Sequence, residues 1–143
     1  MRGKPKPLDT PAADGRDHNA RRAQMAEPWY LAERCKLECG RADAPSLALL
    51  VVETVSAAGE QVADWLPHGL RRGDMVAHFG GGRFGILLPG AGAYDAGRVA
   101  ARIRQRDSRV AIGVAAYPQD GSSLSELVVS ALRELPGPFQ MSA

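Results

Sequence analysis

The eight residues SLALLVVE, from Ser46 to Glu53, constrain the fold of this chain more than any other stretch. The run is apolar at nearly every position and does not alternate between apolar and polar side chains. A strand with that pattern is typically covered on both faces, whereas a strand with one solvated face alternates. We therefore predict a central strand with helices on either side of its sheet, in a chain of 143 residues that fits one domain.

The periodicity of the remaining sequence predicts a helix followed by the order β-α-β-β-α-β-α. Two strands, Asp74–Phe79 and Arg83–Leu88, form a hairpin around the glycine run GGG, and RVAIGVAAY is the last strand. The helices are predicted in the segments that follow: Trp29–Cys39, Glu60–Leu66, YDAGRVAARIRQR and SLSELVVSALREL. The fold class is therefore α/β (α+β), a mixed sheet flanked by helices in the ferredoxin-like or nucleotidyl-cyclase style.

The composition along the chain predicts its division into segments. Residues 1–19 are rich in proline, glycine and charge and are expected to be a disordered tail. Residues 20–45 form a helix-compatible segment and linker, 46–136 the folded domain, and 137–143 a C-terminal tail. Trp29, Trp65 and Phe84 are expected in the core.

Charge and cysteine content exclude several classes of function. A net charge of +2 is too small to favour a nucleic-acid polymer as partner, and no apolar run is long enough for a signal peptide or a membrane span. We expect a cytoplasmic protein that does not insert into a membrane. Cys35 and Cys39 lack the histidine partners of a zinc site, so they are either free thiols in a reducing cytosol or a redox or intermolecular pair.

The hairpin RRGDMVAHFGGGRFGILLPG resembles the core of GGDEF domains, the bacterial diguanylate cyclases. In that family an Arg-x-x-Asp motif precedes the Gly-Gly-Asp-Glu-Phe signature by five residues, and here Arg71 and Asp74 stand at that spacing before GGGRF. The segment VAIGVAAYPQDGSSLSELVVSAL also resembles the later strand, loop and helix of the family. The resemblance covers Ser46 to Leu135 and implies the cyclase-like fold stated above.

The departures from the family pattern imply that this chain is not an active enzyme. Gly82 and Arg83 occupy the signature positions that are acidic in the family and serve metal binding and catalysis. Glu53 stands at the first metal-ligating position, and Glu60 matches the family's second guanine-reading acid. The guanine-reading Asn, the phosphate-facing Lys and the N-terminal preface of the family are missing. We expect no metal and no cofactor, and we expect Arg83 either to be solvated or to face Glu53 or Glu60.

The resemblance also implies a retained ligand site, the inhibitory site that binds the product, cyclic di-GMP. Its residues here are Arg71, Asp74 and Arg102, and Arg72 and Arg98 lie close enough in sequence to assist. An arginine fork pairs with the O6 and N7 acceptors of guanine, and a carboxylate accepts from the guanine N1–H and N2–H donors.

We therefore expect a catalytically inactive cyclic di-GMP receptor in bacterial signalling that acts through an unidentified protein partner. The two-fold symmetry of the ligand allows a ligand-linked homodimer. The alternative is a ligand-free protein-interaction scaffold that has kept only the fold, and residual catalysis is a third reading.

Overall fold

The computed structural model describes residues 24–41, 46–54 and 59–135. The strands are β1 (Gln24–Ala26), β2 (Leu47–Glu53), β3 (Met75–Gly80), β4 (Arg83–Pro89) and β5 (Ala111–Tyr117). The helices are α1 (Pro28–Cys39), α2 (Gly59–Trp65), α3 (Ala93–Arg106) and α4 (Leu124–Glu134), and a single turn of 3-10 helix, Leu66–Gly69, follows α2.

The five strands form one mixed sheet in the spatial order β1-β3-β4-β2-β5. Strand β1 runs parallel to β3, and every other neighbouring pair is antiparallel. The last four strands with α2 and α3 form two split β-α-β units, because β2 lies between β4 and β5 and β4 lies between β3 and β2. The predicted mixed sheet flanked by helices is therefore confirmed.

Strand β2 is buried on both faces, as its unbroken apolar sequence predicted. Ala48, Leu50 and Val52 belong to one hydrophobic cluster, which also contains residues of α2 and α3. Leu47, Leu49 and Val51 point to the opposite side and pack with residues of α1 and α4. The described residues thus form three layers, with two of their helices on each side of the sheet.

The N-terminal part differs from the sequence prediction in two respects. Residues 24–26, taken as helix-compatible, instead form β1 and pair with Met75–Ala77 at the edge of the sheet. A three-residue strand has no detectable periodicity, and its pairing depends on an edge supplied by β3. The prediction of Trp29 as a core residue is wrong, because its side chain in the first turn of α1 is 66% exposed. Phe84 is fully buried and Trp65 is partly buried against the core, as predicted.

The hairpin tip requires its glycines. Gly80, Gly81 and Gly82 have φ of 96°, 62° and 83°, values that residues with a side chain rarely adopt. The register shifts between His78 and Gly80, so the strand carries a bulge just before the turn.

The predicted disordered tail 1–19 and the C-terminal tail 137–143 lie outside the described residues. Across the described ranges, none of the helices combines the length and the apolarity needed to cross a membrane.

Candidate functional site

A polar pocket lies between the loop that enters β3 and one face of α3. Arg71 and Asp74 come from the loop, and Arg98 and Arg102 stand one helical turn apart on α3. The pocket has a volume of about 290 Å³. Its lining residues are Arg71, Asp74, Leu88, Gly90, Ala91, Asp95, Arg98, Val99 and Arg102. The structure therefore brings the three principal residues of the predicted ligand site, and one of the two auxiliary ones, into one pocket.

Asp74 is the most unusual residue of this pocket, because its carboxylate is buried. The residue is only 3% exposed. Oδ2 accepts a hydrogen bond of 2.9 Å from the Arg71 backbone N–H, and the Asp74 N–H donates to the Arg71 carbonyl at 3.0 Å. Oδ1 is buried and has no hydrogen-bond partner in the described part of the chain. A buried carboxylate oxygen without a donor is costly, and such atoms are frequent at binding sites.

The surroundings of Asp74 shift its proton affinity. Burial raises the pKa of the Asp74 carboxyl, and the hydrogen bonds and charge of Arg71, together with the charge of Arg102, oppose that rise only in part. The carboxylate is therefore held at a desolvation cost that additional N–H donors would offset.

Arg71 and Arg102 are the exposed cations whose charges act on this carboxylate. The Arg71 side chain is 72% exposed, and its Nη2 lies 3.6 Å from Asp74 Oδ1 and 3.2 Å from the Pro89 carbonyl. The Arg102 Nη2 donates to the Gly69 carbonyl at 3.2 Å. Both guanidinium groups are held by exposed, long hydrogen bonds that a ligand can replace at little cost.

Two auxiliary positions behave differently from each other. Arg98 lines the pocket, whereas Arg72 is exposed and is not among the lining residues. Asp95, which sequence reasoning missed, also lines the pocket. It precedes Arg98 by three positions and Arg102 by seven, so helical spacing alone would have placed it on the same face.

The hairpin tip carries an ion pair where the sequence comparison expected degenerate catalytic positions. Glu53, the last residue of β2, lies directly opposite Arg83, the first residue of β4. Arg83 Nη2 is 2.5 Å from Glu53 Oε2, and both side chains are partly buried. The sequence left Arg83 either solvated or facing Glu53 or Glu60. In the structure it pairs with Glu53. The helix α2 contains Glu60, but its side chain lies outside what the structure describes.

Gly82, the third glycine of the hairpin tip, is hydrogen-bonded to Thr54, the residue that follows β2. The Gly82 carbonyl accepts from the backbone N–H of Thr54 at 2.8 Å and from its hydroxyl at 2.9 Å. A Cβ at Gly82 would lie 2.8 Å from the Thr54 hydroxyl and 2.9 Å from its carbonyl oxygen. The present geometry therefore leaves no room for any side chain at this position.

Comparison with solved structures identifies the architecture. The GGDEF domain of YfiN (TpbB) from Pseudomonas aeruginosa superposes with a TM-score of 0.59 at 24% identity, over 74% of this chain and 84% of that one. A sensory box/GGDEF family protein from Caulobacter crescentus gives a TM-score of 0.62 at 19% identity, over 79% and 92% of the two chains. The chain has a GGDEF-like fold.

A third solved structure with the same fold is a complex. It contains the diguanylate cyclase SiaD of Pseudomonas aeruginosa with its activator SiaC, and SiaD gives a TM-score of 0.59 at 23% identity. The match covers 76% of this chain and 52% of SiaD. No family model matches the sequence, and the comparison with curated proteins gives no match.

Within this GGDEF-like fold, the tip does not fit the divalent metal that a cyclase uses. Mg²⁺ takes oxygen ligands in octahedral array and usually binds through one or two carboxylates. Here the Glu53 carboxylate is paired with Arg83, and Gly82 offers no side chain. Among the described residues, no three acidic, histidine or cysteine side chains lie together as a metal site would require. No step of a metal-dependent reaction follows from these groups.

Proposed function

We propose that this chain is a catalytically inactive GGDEF-like receptor for cyclic di-GMP. The observation that carries the proposal is the buried Asp74 carboxylate, whose Oδ1 has no hydrogen-bond partner in the described residues. It lies in a pocket with Arg71, Arg98 and Arg102, so one buried acceptor is surrounded by three exposed cations. A ligand that combines N–H donors with negative charge matches this arrangement.

Guanine and phosphate supply that combination. The N1–H and N2–H groups of guanine donate to a carboxylate, and the O6 and N7 acceptors of its other edge pair with an arginine fork. The phosphates of the dinucleotide pair with the remaining guanidinium groups. Arg71 Nη2 lies 3.6 Å from Oδ1 and donates to the Pro89 carbonyl at 3.2 Å, so its exposed side chain could turn outward and pair with the ligand.

The hairpin tip supports the absence of cyclase activity. Joining two molecules of GTP needs metal ions that neutralise triphosphate charge and activate a hydroxyl. A cation, Arg83, stands beside the carboxylate Glu53 at the positions that would hold such metals. Signalling would then proceed through a protein partner, in the way that the GGDEF-like SiaD forms a complex with SiaC.

Calorimetric titration with cyclic di-GMP tests the receptor proposal. We expect saturable binding to the wild type, and a loss of affinity of about ten- to a hundredfold in Arg71→Ala and in Asp74→Asn, since each removes a charge-assisted contact. The neighbouring variant Arg72→Ala is the matched control, because Arg72 carries the same charge outside the pocket, and its affinity should be nearly unchanged. The proposal fails if the wild type gives no heat at high micromolar ligand, or if all variants bind equally.

An activity assay tests the second half of the proposal. Purified protein incubated with GTP and Mg²⁺ or Mn²⁺ should produce no cyclic di-GMP above the level of a heat-denatured sample. Production of cyclic di-GMP that depends on Glu53 would overturn the proposed inactivity. It would not decide the receptor proposal, which the calorimetry tests.

The alternative, a ligand-free interaction scaffold, has its own supporting observation. Large apolar side chains are exposed on the layer formed by α1 and α4, among them Trp29 at 66%, Leu37 at 67% and Val129 at 47%. Apolar exposure of this kind favours contact with another protein. The hypothesis of a ligand-free scaffold requires that the chain bind a protein partner independently of cyclic di-GMP and that Asp74→Asn leave this binding unchanged.

A further inference from the structure

A second pocket adjoins the candidate ligand site, at the other end of the arginine row on α3. It has a volume of about 620 Å³ and lies between the C-terminal end of α2, the turn that follows it and the last turns of α3. Its lining residues are Gln61, Asp64, Trp65, Leu66, His68, Gly69, Leu70, Arg102, Ile103 and Arg106. This pocket has no signal in the sequence, which predicts Trp65 only as a core residue.

The two pockets share one lining residue. Arg102 lines both of them, and the contact that holds it in place is an exposed hydrogen bond of 3.2 Å to the Gly69 carbonyl. Rotation of this side chain away from Gly69 would join the two pockets into a single groove. The groove runs from Asp74 and Arg71 at one end to Trp65 and Arg106 at the other.

The far end of the groove is built like a base-stacking site. The Trp65 ring is partly buried against the core, and the Arg106 guanidinium lies over it, 5.1 Å from the ring centre. An aromatic ring and a guanidinium plane are the two surfaces on which nucleobases stack in proteins. A base that stacks on the Trp65 ring would displace the Arg106 guanidinium, which could then stack on the base, while the packing of Trp65 on the core is kept.

The charges along the groove follow the helix. Arg98, Arg102 and Arg106 repeat every four residues, so successive guanidinium groups leave α3 about 6 Å further along its axis. The acidic groups are Asp74 and Asp95 at one end and Asp64 at the other, and His68 also lines the second pocket. With Arg71, the groove has four arginines against three carboxylates, of which Asp74 is buried.

We propose that the Trp65 and Arg106 pocket binds the second guanine of the same cyclic di-GMP molecule whose first guanine meets Asp74 and Arg71. Arg102 then contacts a phosphate between the two bases. This inference rests on the proposed receptor function and adds to it: the chain binds one extended dinucleotide by itself, and both bases contact one protomer.

Intrinsic fluorescence tests the position of the second base directly. The chain has two tryptophans, and Trp29 is exposed on the opposite side of the sheet, so the variant Trp29→Phe leaves Trp65 as the single tryptophan, which is excited selectively at wavelengths beyond the tyrosine absorption. Addition of cyclic di-GMP to this variant should quench or shift the emission saturably, with the midpoint measured by calorimetry. The calorimetric stoichiometry should be one ligand per chain.

Affinity measurements test the contribution of the pocket. Arg106→Ala should weaken binding of cyclic di-GMP about two- to fivefold through loss of the cation–π surface. Its matched control is Arg104→Ala, which removes an exposed arginine of the same helix that lines neither pocket. Trp65→Leu keeps an apolar side chain against the core and should weaken binding about five- to a hundredfold. A circular dichroism spectrum and melting curve show whether that variant is folded.

The outcomes separate the two proposals. If calorimetry shows binding that depends on Asp74 while Trp65 emission and the affinity of Arg106→Ala are unchanged, the second-base site is wrong and the receptor proposal stands. A stoichiometry of two ligands per chain with unchanged emission also overturns it. If the wild type binds no cyclic di-GMP, both proposals fall.

Discussion

Arg83 and Glu53 face each other across the antiparallel pair β4 and β2, with Nη2 2.5 Å from Oε2. The two residues stand 30 positions apart in sequence, at the end of one strand and the start of another. Both side chains are partly buried, at 34% and 19% exposure, so water screens the pair less than it screens a surface pair. The pair is therefore a structural contact that joins the start of β4 to the end of β2.

This contact predicts a measurable coupling. In a double-mutant cycle of Glu53→Gln and Arg83→Gln, we expect a coupling free energy of about 1 to 1.5 kcal/mol, between the upper limit for exposed pairs and the lower limit for charged hydrogen bonds. Urea denaturation of the four proteins measures it. Arg83→Glu should cost more than Arg83→Gln, because it places two carboxylates opposite each other. Equal stability of the two variants would contradict this account.

A second prediction concerns Gly82, where the stability cost of a positive φ and the cost of the contact with Thr54 can be measured separately. Gly82→Ala should destabilise the fold by about 1 to 3 kcal/mol, because the residue has a φ of +83° and its Cβ would lie 2.9 Å from the Thr54 carbonyl oxygen. The control Gly81→Ala also has a positive φ, of +62°, but its Cβ would meet open space. The difference between the two, read from thermal denaturation, isolates the Thr54 contact. An equal loss in both would show that the contact is unimportant.

The raised pKa of Asp74 predicts the sign of a pH effect on stability. Because burial raises the pKa in the folded state, the folded protein binds this proton more tightly than the unfolded chain does, so protonation of Asp74 favours folding. Asp74→Asn lacks this proton uptake. The free energy of unfolding of the wild type relative to Asp74→Asn should therefore rise as the pH falls from 7 toward and below the raised pKa.

Taking the difference between the two proteins removes the titration of all other carboxyl groups. Denaturant titrations at closely spaced pH values supply the measurement. A relative stability of the wild type that decreases as the pH is lowered would mean that the carboxylate is stabilised in the folded state, contrary to its burial.

The close contact between Gly113 and helix α4 predicts a large loss of stability when this glycine is replaced. A Cβ at this position in β5 would lie 1.8 Å from the Ala131 carbonyl oxygen of α4, a backbone atom that cannot rotate away. Gly113→Ala should cost about 3 kcal/mol or more by forcing the helix off the sheet. Gly97→Ala, in the exposed middle of α3 with open space around it, should instead gain about 0.5 to 1 kcal/mol. Melting temperatures that move in the same direction would refute the contrast.

The two cysteines predict a difference in thiol reactivity. Burial raises the pKa of the Cys35 thiol to about 12, and the thiol is inaccessible to solvent, whereas Cys39 is only partly buried. Alkylation of the native protein should label Cys39 first and leave Cys35 unmodified until the chain unfolds. Mass spectrometry of peptides from Cys35→Ser and Cys39→Ser assigns the labelled site. Rapid labelling of Cys35 in the native state would contradict its burial.

Much of the site was predictable because its signals are local. Arg71 and Asp74 are three residues apart in one loop, and Arg98 and Arg102 are one turn apart on one helix, so spacing alone brings each pair together. The resemblance implies one ligand site for Arg71, Asp74 and Arg102, with Arg98 close by, and these four residues line one pocket. The contact between Gly82 and Thr54, by contrast, joins residues 28 positions apart and has no signal in either segment.

The sequence by itself determined the central strand, the order of the elements from α1 onward and the glycine turn, because periodicity and backbone freedom are properties of neighbouring residues. Only the tertiary structure decided that residues 24–26 join the sheet, that Trp29 is exposed while Trp65 lines a pocket, and that Arg83 pairs with Glu53. Those outcomes depend on which strand edges and helix faces meet in space. Local propensity does not encode these contacts, because burial and charge pairing depend on packing between segments that are distant in sequence.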